Sequence, residues 1–134
     1  MDEQWLEIKQ YDGEGYHPLI DFGSWRVAIL RWIDSMQPEK ITYMERHTLT
    51  DEVFVLLSGK AILVVGGNSA QVSGVFPQEL ESGRFYNVKQ NIWHTILLSR
   101  DASILIVEEN NTGAANTEYC ELLTIYRKEI IALG

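Results

Sequence analysis

The residues that could do chemistry together lie in one stretch, Tyr43 to Gly59, which reads YMERHTLTDEVFVLLSG. Glu45 and His47 stand two apart, and on a strand residues two apart point to the same face. Four residues separate His47 from Glu52, and an apolar run then leads to Gly59. A turn after His47 predicts that the next strand brings Glu52 alongside the pair. Three possible metal ligands would then converge on the inner face of a hairpin.

Composition narrows the setting. With 134 residues, the chain is most simply one domain, long enough to bury a core. The net charge of -8 argues against a nucleic-acid partner, because phosphate binding needs a basic surface. An anionic membrane surface is disfavoured for the same reason. The single cysteine, Cys120, excludes an intrachain disulfide and is read as structural. The first residues, MDEQWLEIKQ, lack the basic and apolar regions of a signal peptide, and no run reaches the roughly 18 apolar residues of a membrane helix. The expected location is the cytoplasm.

Strands must position the candidate ligands. Residues 1–10 are read as a short edge strand, and Tyr16–Phe22, which contains Pro18, as an edge strand. Trp25–Ile33 is apolar on both faces, so both should be covered. Ile41–His47 puts Tyr43, Glu45 and His47 on one face, and Glu52–Ser58 puts Glu52, Phe54 and Leu56 on one face. Ala61–Val65, Phe85–Val88, Trp93–Leu98 and Ser103–Glu108 complete the strong strands. Gln71–Leu80 is a loop or weak strand, and Thr124 is the expected cap of a helix running to Leu133. Short strands at regular spacing with turns between them predict an all-β sandwich or barrel.

These residues resemble the cupin family. Glu45, His47, Glu52 and Gly59 fall at the spacings of its first motif, which has two metal-binding histidines one residue apart, then a glutamate, then a glycine. From Gly83, GRFYNVKQNIWH has the spacing of the second motif through His94. The chain departs from the pattern in four places. Glu45 stands where histidine is usual, Lys89 replaces a proline, Asn91 a glycine and Leu98 an asparagine. Asparagine suits the glycine position because it tolerates a left-handed turn. The resemblance implies a single-domain jelly-roll β-barrel with a short C-terminal helix. The barrel would span about residues 25–109, with an N-terminal strand arm over 1–24 and a C-terminal tail over 110–134.

It also implies a site. His47 and His94 would offer neutral imidazole nitrogens, and Glu45 and Glu52 carboxylates whose charge balances a divalent ion. Such a set suits Mn, Fe, Co, Ni or Zn, with open positions for water or a bidentate small molecule. Tyr43 is the candidate hydrogen-bond donor or acid, while Phe54, Leu56, Ile96 and Leu98 would line the apolar part of the barrel. The alternative for Glu45 is a pocket residue paired with an arginine such as Arg84. The alternative for the other three is an inherited hydrogen-bond cluster that holds no ion. Two function classes follow. One is a metalloenzyme acting on a small polar molecule, such as a sugar derivative or a keto or hydroxy acid. The other is a non-catalytic small-molecule-binding or sensor protein. Val53, Val55, Leu57 and the Trp25–Ile33 strand are apolar on faces that cannot all point inward, which predicts a homodimer.

Overall fold

Period-two alternation fixes which side chains of each strand meet. Phe54 and Leu56 on one strand, Ile104 and Ile106 on another, and Leu63 and Ile96 on two more turn toward a common interior. The computed structural model describes Asp2 and residues 4–134 and resolves this pattern into two five-stranded antiparallel sheets and one C-terminal helix. The first sheet has the order β1 (Gly15–Phe22), β2 (Trp25–Arg31), β9 (Ser103–Glu109), β4 (Glu52–Ser58), β7 (Tyr86–Val88). The second has the order β10 (Thr117–Glu121), β3 (Tyr43–His47), β8 (His94–Leu98), β5 (Ala61–Val65), β6 (Phe76–Glu79). Helix α1 spans Thr124–Leu133.

Two cores result. The first lies between the sheets and contains Ala28, Phe54, Leu56, Leu63, Ile96, Ile104 and Ile106. The second lies on the outer face of the second sheet, where Met44, Val64, Trp93, Leu97 and Cys120 are covered by Leu122 and Ile130 of the C-terminal segment. Covering both faces explains why β5 has no polar side. β1 sits at a sheet edge, where Pro18 deprives no inner ladder of a donor. Asn91, in place of the second-motif glycine, has φ 66°, the one positive φ outside glycine among the described residues. Gly59 has φ 75° between β4 and β5, and an added Cβ there would lie 2.6 Å from the Ala102 Cα.

The structure corrects three expectations and adds one strand. β3 and β4 do not form a hairpin but lie in opposite sheets, because β3 pairs with β8 and β10 while β4 pairs with β7 and β9. No strand forms in Gln4–Gln10, where exposed apolar residues have no partner edge; Met1 and Glu3 lie outside the described residues. Thr124 is the first helical residue rather than the cap, which is Leu123 and makes no side-chain capping bond. β10 went unread because TEYCE has no clean alternation, and its strand form follows from pairing with β3.

Candidate metal centre

One end of the space between the sheets is polar. The first sheet sends in a row. Arg26 on β2 pairs in register with Glu108 on β9. Extending the Phe54–Ile106 pairing by one inward step brings Glu52 on β4 opposite Glu108. The second sheet answers with its own row. His47 on β3 lies opposite Thr117 on β10, and Glu45 on β3 lies opposite His94 on β8. Both rows face a cavity of about 550 Å³ that also touches Tyr16, Tyr43, Phe54 and Ile96. Leu56 and Leu98, expected to line it, sit deeper in the inter-sheet core.

Glu52 Oε1 is the centre of this arrangement. It lies 3.1 Å from His47 Nε2 and 3.1 Å from His94 Nε2. All three side chains are buried. His94 Nδ1 donates to the Ile92 carbonyl at 2.9 Å. A carbonyl only accepts, so the proton of a neutral His94 sits on Nδ1 and Nε2 presents its lone pair to the cluster. His47 Nδ1 has the Thr117 hydroxyl at 3.0 Å, a group that can donate or accept and so orients the ring in either tautomer. The His94 lone pair aimed at a carboxylate oxygen calls for a cation between them, either a proton on the ring or a metal ion, whereas His47 can also reach Glu52 through an Nε2 proton. The spacing fits an ion, because two bonds of about 2.1 Å at near right angles separate their donor atoms by about 3 Å.

The electrostatics are those of a charged cluster in a dry place. Burial pushes the His47 and His94 pKa values down, but the hydrogen bond to Glu52 and its charge outweigh this, and both end above their ordinary value. Burial pushes Glu52 up, but the hydrogen bonds from His47 and His94 prevail and leave it well below the usual carboxylate range. Glu108 moves the other way, raised by its burial and then by the neighbouring Glu52.

The remaining candidates separate. Glu45 Oε1 is 3.8 Å from His47 Nε2 and 4.0 Å from His94 Nε2, and its side chain is 38% exposed against 7% for Glu52. Arg84 is not its partner, since it pairs with Glu81 on the surface. Tyr43 is half exposed and packs edge-on to Tyr119, with ring centroids 5.4 Å apart. Trp93, beside His94, points to the other face of its sheet, where it donates to the Ser69 carbonyl and stacks under Arg46. Sequence reasoning missed Glu108. Its Oε1 accepts from the Tyr16 hydroxyl at 2.6 Å and from Arg26 Nη2 at 2.8 Å. The signal was there: Glu108 shares the inward face of Ile104 and Ile106, an acidic residue on an apolar stripe. Two groups of donors that could hold an ion thus overlap at His47: Glu45 with His47 and His94, and His47 with Glu52 and Glu108.

Two antiparallel sheets enclosing a histidine–carboxylate cluster at one end define a small β-protein with a metal-binding-capable site. The chain is 31% identical over 121 residues to the ureidoglycolate lyase of Agrobacterium fabrum, covering 85% of this chain and 67% of that protein. No family profile matches the chain. Its fold resembles a cupin-2 domain protein of Shewanella frigidimarina, with TM-score 0.52 and 14% identity over 75% of this chain and 85% of that one. It also resembles Streptomyces Pac13, solved with uridine, with TM-score 0.57 and 10% identity over 90% of this chain and 88% of that one. The chain belongs to the cupin superfamily.

Proposed function

We propose that this chain is a metal-dependent enzyme acting on a small polar molecule, with a hydroxy-acid derivative as the substrate class. The observation that carries this reading is the convergence of His47 Nε2, His94 Nε2 and Glu52 Oε1 at 3.1 Å spacing on the wall of a cavity. These three residues hold the divalent ion, one of Mn, Fe, Co, Ni or Zn, and Glu45 is a further candidate donor from the more exposed side. When bound, the ion supplies Lewis-acid chemistry to an oxygen of the ligand. The protein's own part is positioning. Ile92 and Thr117 fix the two imidazole rings, Phe54 and Ile96 wall off water, and Tyr43 at the open side offers a hydroxyl to the bound molecule. Similarity to ureidoglycolate lyase, whose name denotes chemistry on a hydroxy-acid derivative, favours that class.

A second reading has its own support. Protons on His47 and His94 satisfy Glu52 without any ion, as a non-catalytic small-molecule-binding or sensor protein would allow. One experiment separates the two. The purified protein is stripped with chelator, reloaded near neutral pH with each of the five metals, and then followed for consumption of ureidoglycolate. Stoichiometric uptake supports the metal reading, and turnover supports the substrate class. No uptake of any of the five would leave the non-catalytic reading.

The same reading takes residues 1–134 as one cupin domain whose sheets form a jelly-roll barrel, working in the cytoplasm as a homodimer. The support for a dimer is the outer face of the first sheet. Leu57 there is exposed, and Val27, Ile29, Val53 and Val55 are only half-buried. Among the described residues no helix is long and apolar enough to cross a membrane. A monomeric mass by light scattering at micromolar concentration would remove the dimer.

A further inference from the structure

Glu108 is built as a ligand that has been given everything but its target. Its side chain is 3% exposed. Its Oε1 is held by the Tyr16 hydroxyl at 2.6 Å and by Arg26 through Nη2 at 2.8 Å and Nε at 3.3 Å. Arg26 is itself anchored on the carbonyls of Asn110 and Thr112, so the clamp is rigid. Oε2, by contrast, is buried and has no hydrogen-bond partner among the described residues. A buried carboxylate oxygen left unpaired is costly, and such a group calls for a missing partner. The Glu108 carboxylate lines the same cavity and offers a donor atom within 4.8 Å of those of His47 and Glu52.

Resting on the metal reading above, we propose that Glu108 is a protein ligand of the ion, binding it through Oε2 while Tyr16 and Arg26 hold Oε1. Glu45 is then the less important carboxylate. Three observations favour this ranking. Glu108 is buried and clamped, whereas the Glu45 side chain is 38% exposed, and its salt-bridge partners among the described residues are the two histidines at 3.8 and 4.0 Å. Glu108 meets Glu52, and two carboxylates facing each other in a dry cavity repel unless a shared proton or a metal cation lies between them. The clamp fits the outer support that metal-bound carboxylates commonly have: a second oxygen hydrogen-bonded so that the first is aimed. The Arg26 charge offsets one of the carboxylates, so Glu52 and Glu108 together leave roughly the charge a divalent ion with neutral histidines tolerates.

The test uses Co²⁺ alone as probe on the chelator-stripped full chain, reading affinity by calorimetry and the visible absorption of the bound ion. Glu108→Gln keeps the shape and can donate to Glu52, so it should fold, but it lacks the anionic oxygen. Its Co²⁺ affinity should fall at least tenfold and its absorption spectrum should change. Glu45→Gln should lose less affinity than Glu108→Gln and change the spectrum less. Tyr16→Phe, which loosens the clamp without touching Oε2, should show an intermediate loss. Parental affinity and spectrum in Glu108→Gln would overturn the inference while leaving the metal reading intact. Absence of Co²⁺ uptake by the unmodified chain would sink both. If the glutamine variant does not fold, Glu108→Asp, which keeps the charge but withdraws the oxygen by one methylene, carries the test. There too, parental affinity and spectrum overturn the assignment.

Discussion

The space between the sheets has two ends that obey opposite rules. At one, Leu56, Ala61, Leu63, Ile104 and Leu80 fill the interior with hydrocarbon and need no specific partner. At the other, Tyr16, Arg26, Glu52, Glu108, His47 and His94 bury charge, and each group depends on a neighbour at a fixed distance. Apolar burial adds to stability at about 25 cal/mol per Å² wherever it occurs. Buried ion pairs roughly break even against hydrophobic replacements and lose heavily when one partner is removed. The apolar end therefore holds the sheets together, and the polar end, on the reading proposed above, serves the bound ion.

The sharpest way to break this division is to empty the apolar end. Ile104 is fully buried between the sheets. Ile104→Ala should cost about 2–5 kcal/mol, from lost transfer and cavity terms. Metal uptake by the folded fraction should stay at the parental level. Urea unfolding paired with metal titration checks both. A loss of affinity at unchanged stability would show that the two ends are coupled.

The turn that closes the apolar end should come next. Gly59 combines a left-handed φ with a backbone neighbour, Ala102, where a side chain would stand. Gly59→Val should cost about 2–4 kcal/mol, adding a left-handed penalty to overpacking. Ligand binding should not change specifically. An unaltered melting temperature would count against this account of the turn.

At the polar end the expected order of effects reverses. His94→Ala removes one donor to Glu52 and one lone pair to the ion. Stability of the metal-free protein should fall by about 1–3 kcal/mol, the cost of leaving a buried carboxylate under-satisfied. Metal affinity should fall by more than the 10–100-fold that loss of an outer hydrogen-bond partner typically costs. Retained affinity in this variant would move the centre away from His94.

The contrast between the ends also explains what was readable in the sequence. β4 and β5 have the expected bounds, because each is an apolar run and the tight Gly59 turn marks where one ends and the next begins. His47, Glu52 and His94 come together as the motif spacing implied. What local pattern cannot express is which edge a strand chooses. Thr48–Asp51 is short enough for a hairpin, yet it carries the chain between sheets. TEYCE becomes β10 because β3 offers it an edge. Glu108 was legible as an acidic residue on the apolar face of its strand, but without a partner. Its role appears when Arg26 and Glu52 are found beside it, and those contacts lie 82 and 56 positions away along the chain.

The smallest expected effect, and the one that most directly distinguishes a proton from an ion in the cluster, is the dependence on pH. His47 and His94 have pKa values raised above the ordinary 6.5 of an imidazole. Their contribution to stability is therefore fully present below pH 6.5 and is lost as pH rises through the folded-state values. Glu52 is lowered from 4.5, so its contribution is present above pH 4.5 and is lost as pH falls through its folded-state value. In the metal-free protein these signs overlap between pH 4.5 and 6.5, where protons on the imidazoles serve Glu52, and the cluster's contribution should fade above that window. The metal-loaded protein should behave oppositely. Ion and protons compete for the same nitrogens, so the rise in melting temperature on loading should grow as pH climbs past the histidine values. Melting curves of stripped and Co²⁺-loaded protein from pH 4 to 9 would show two profiles diverging with rising pH. His94→Ala should flatten the metal-free profile. Parallel profiles would mean that the ion, if bound, does not displace the protons of this cluster, and the centre would have to lie elsewhere.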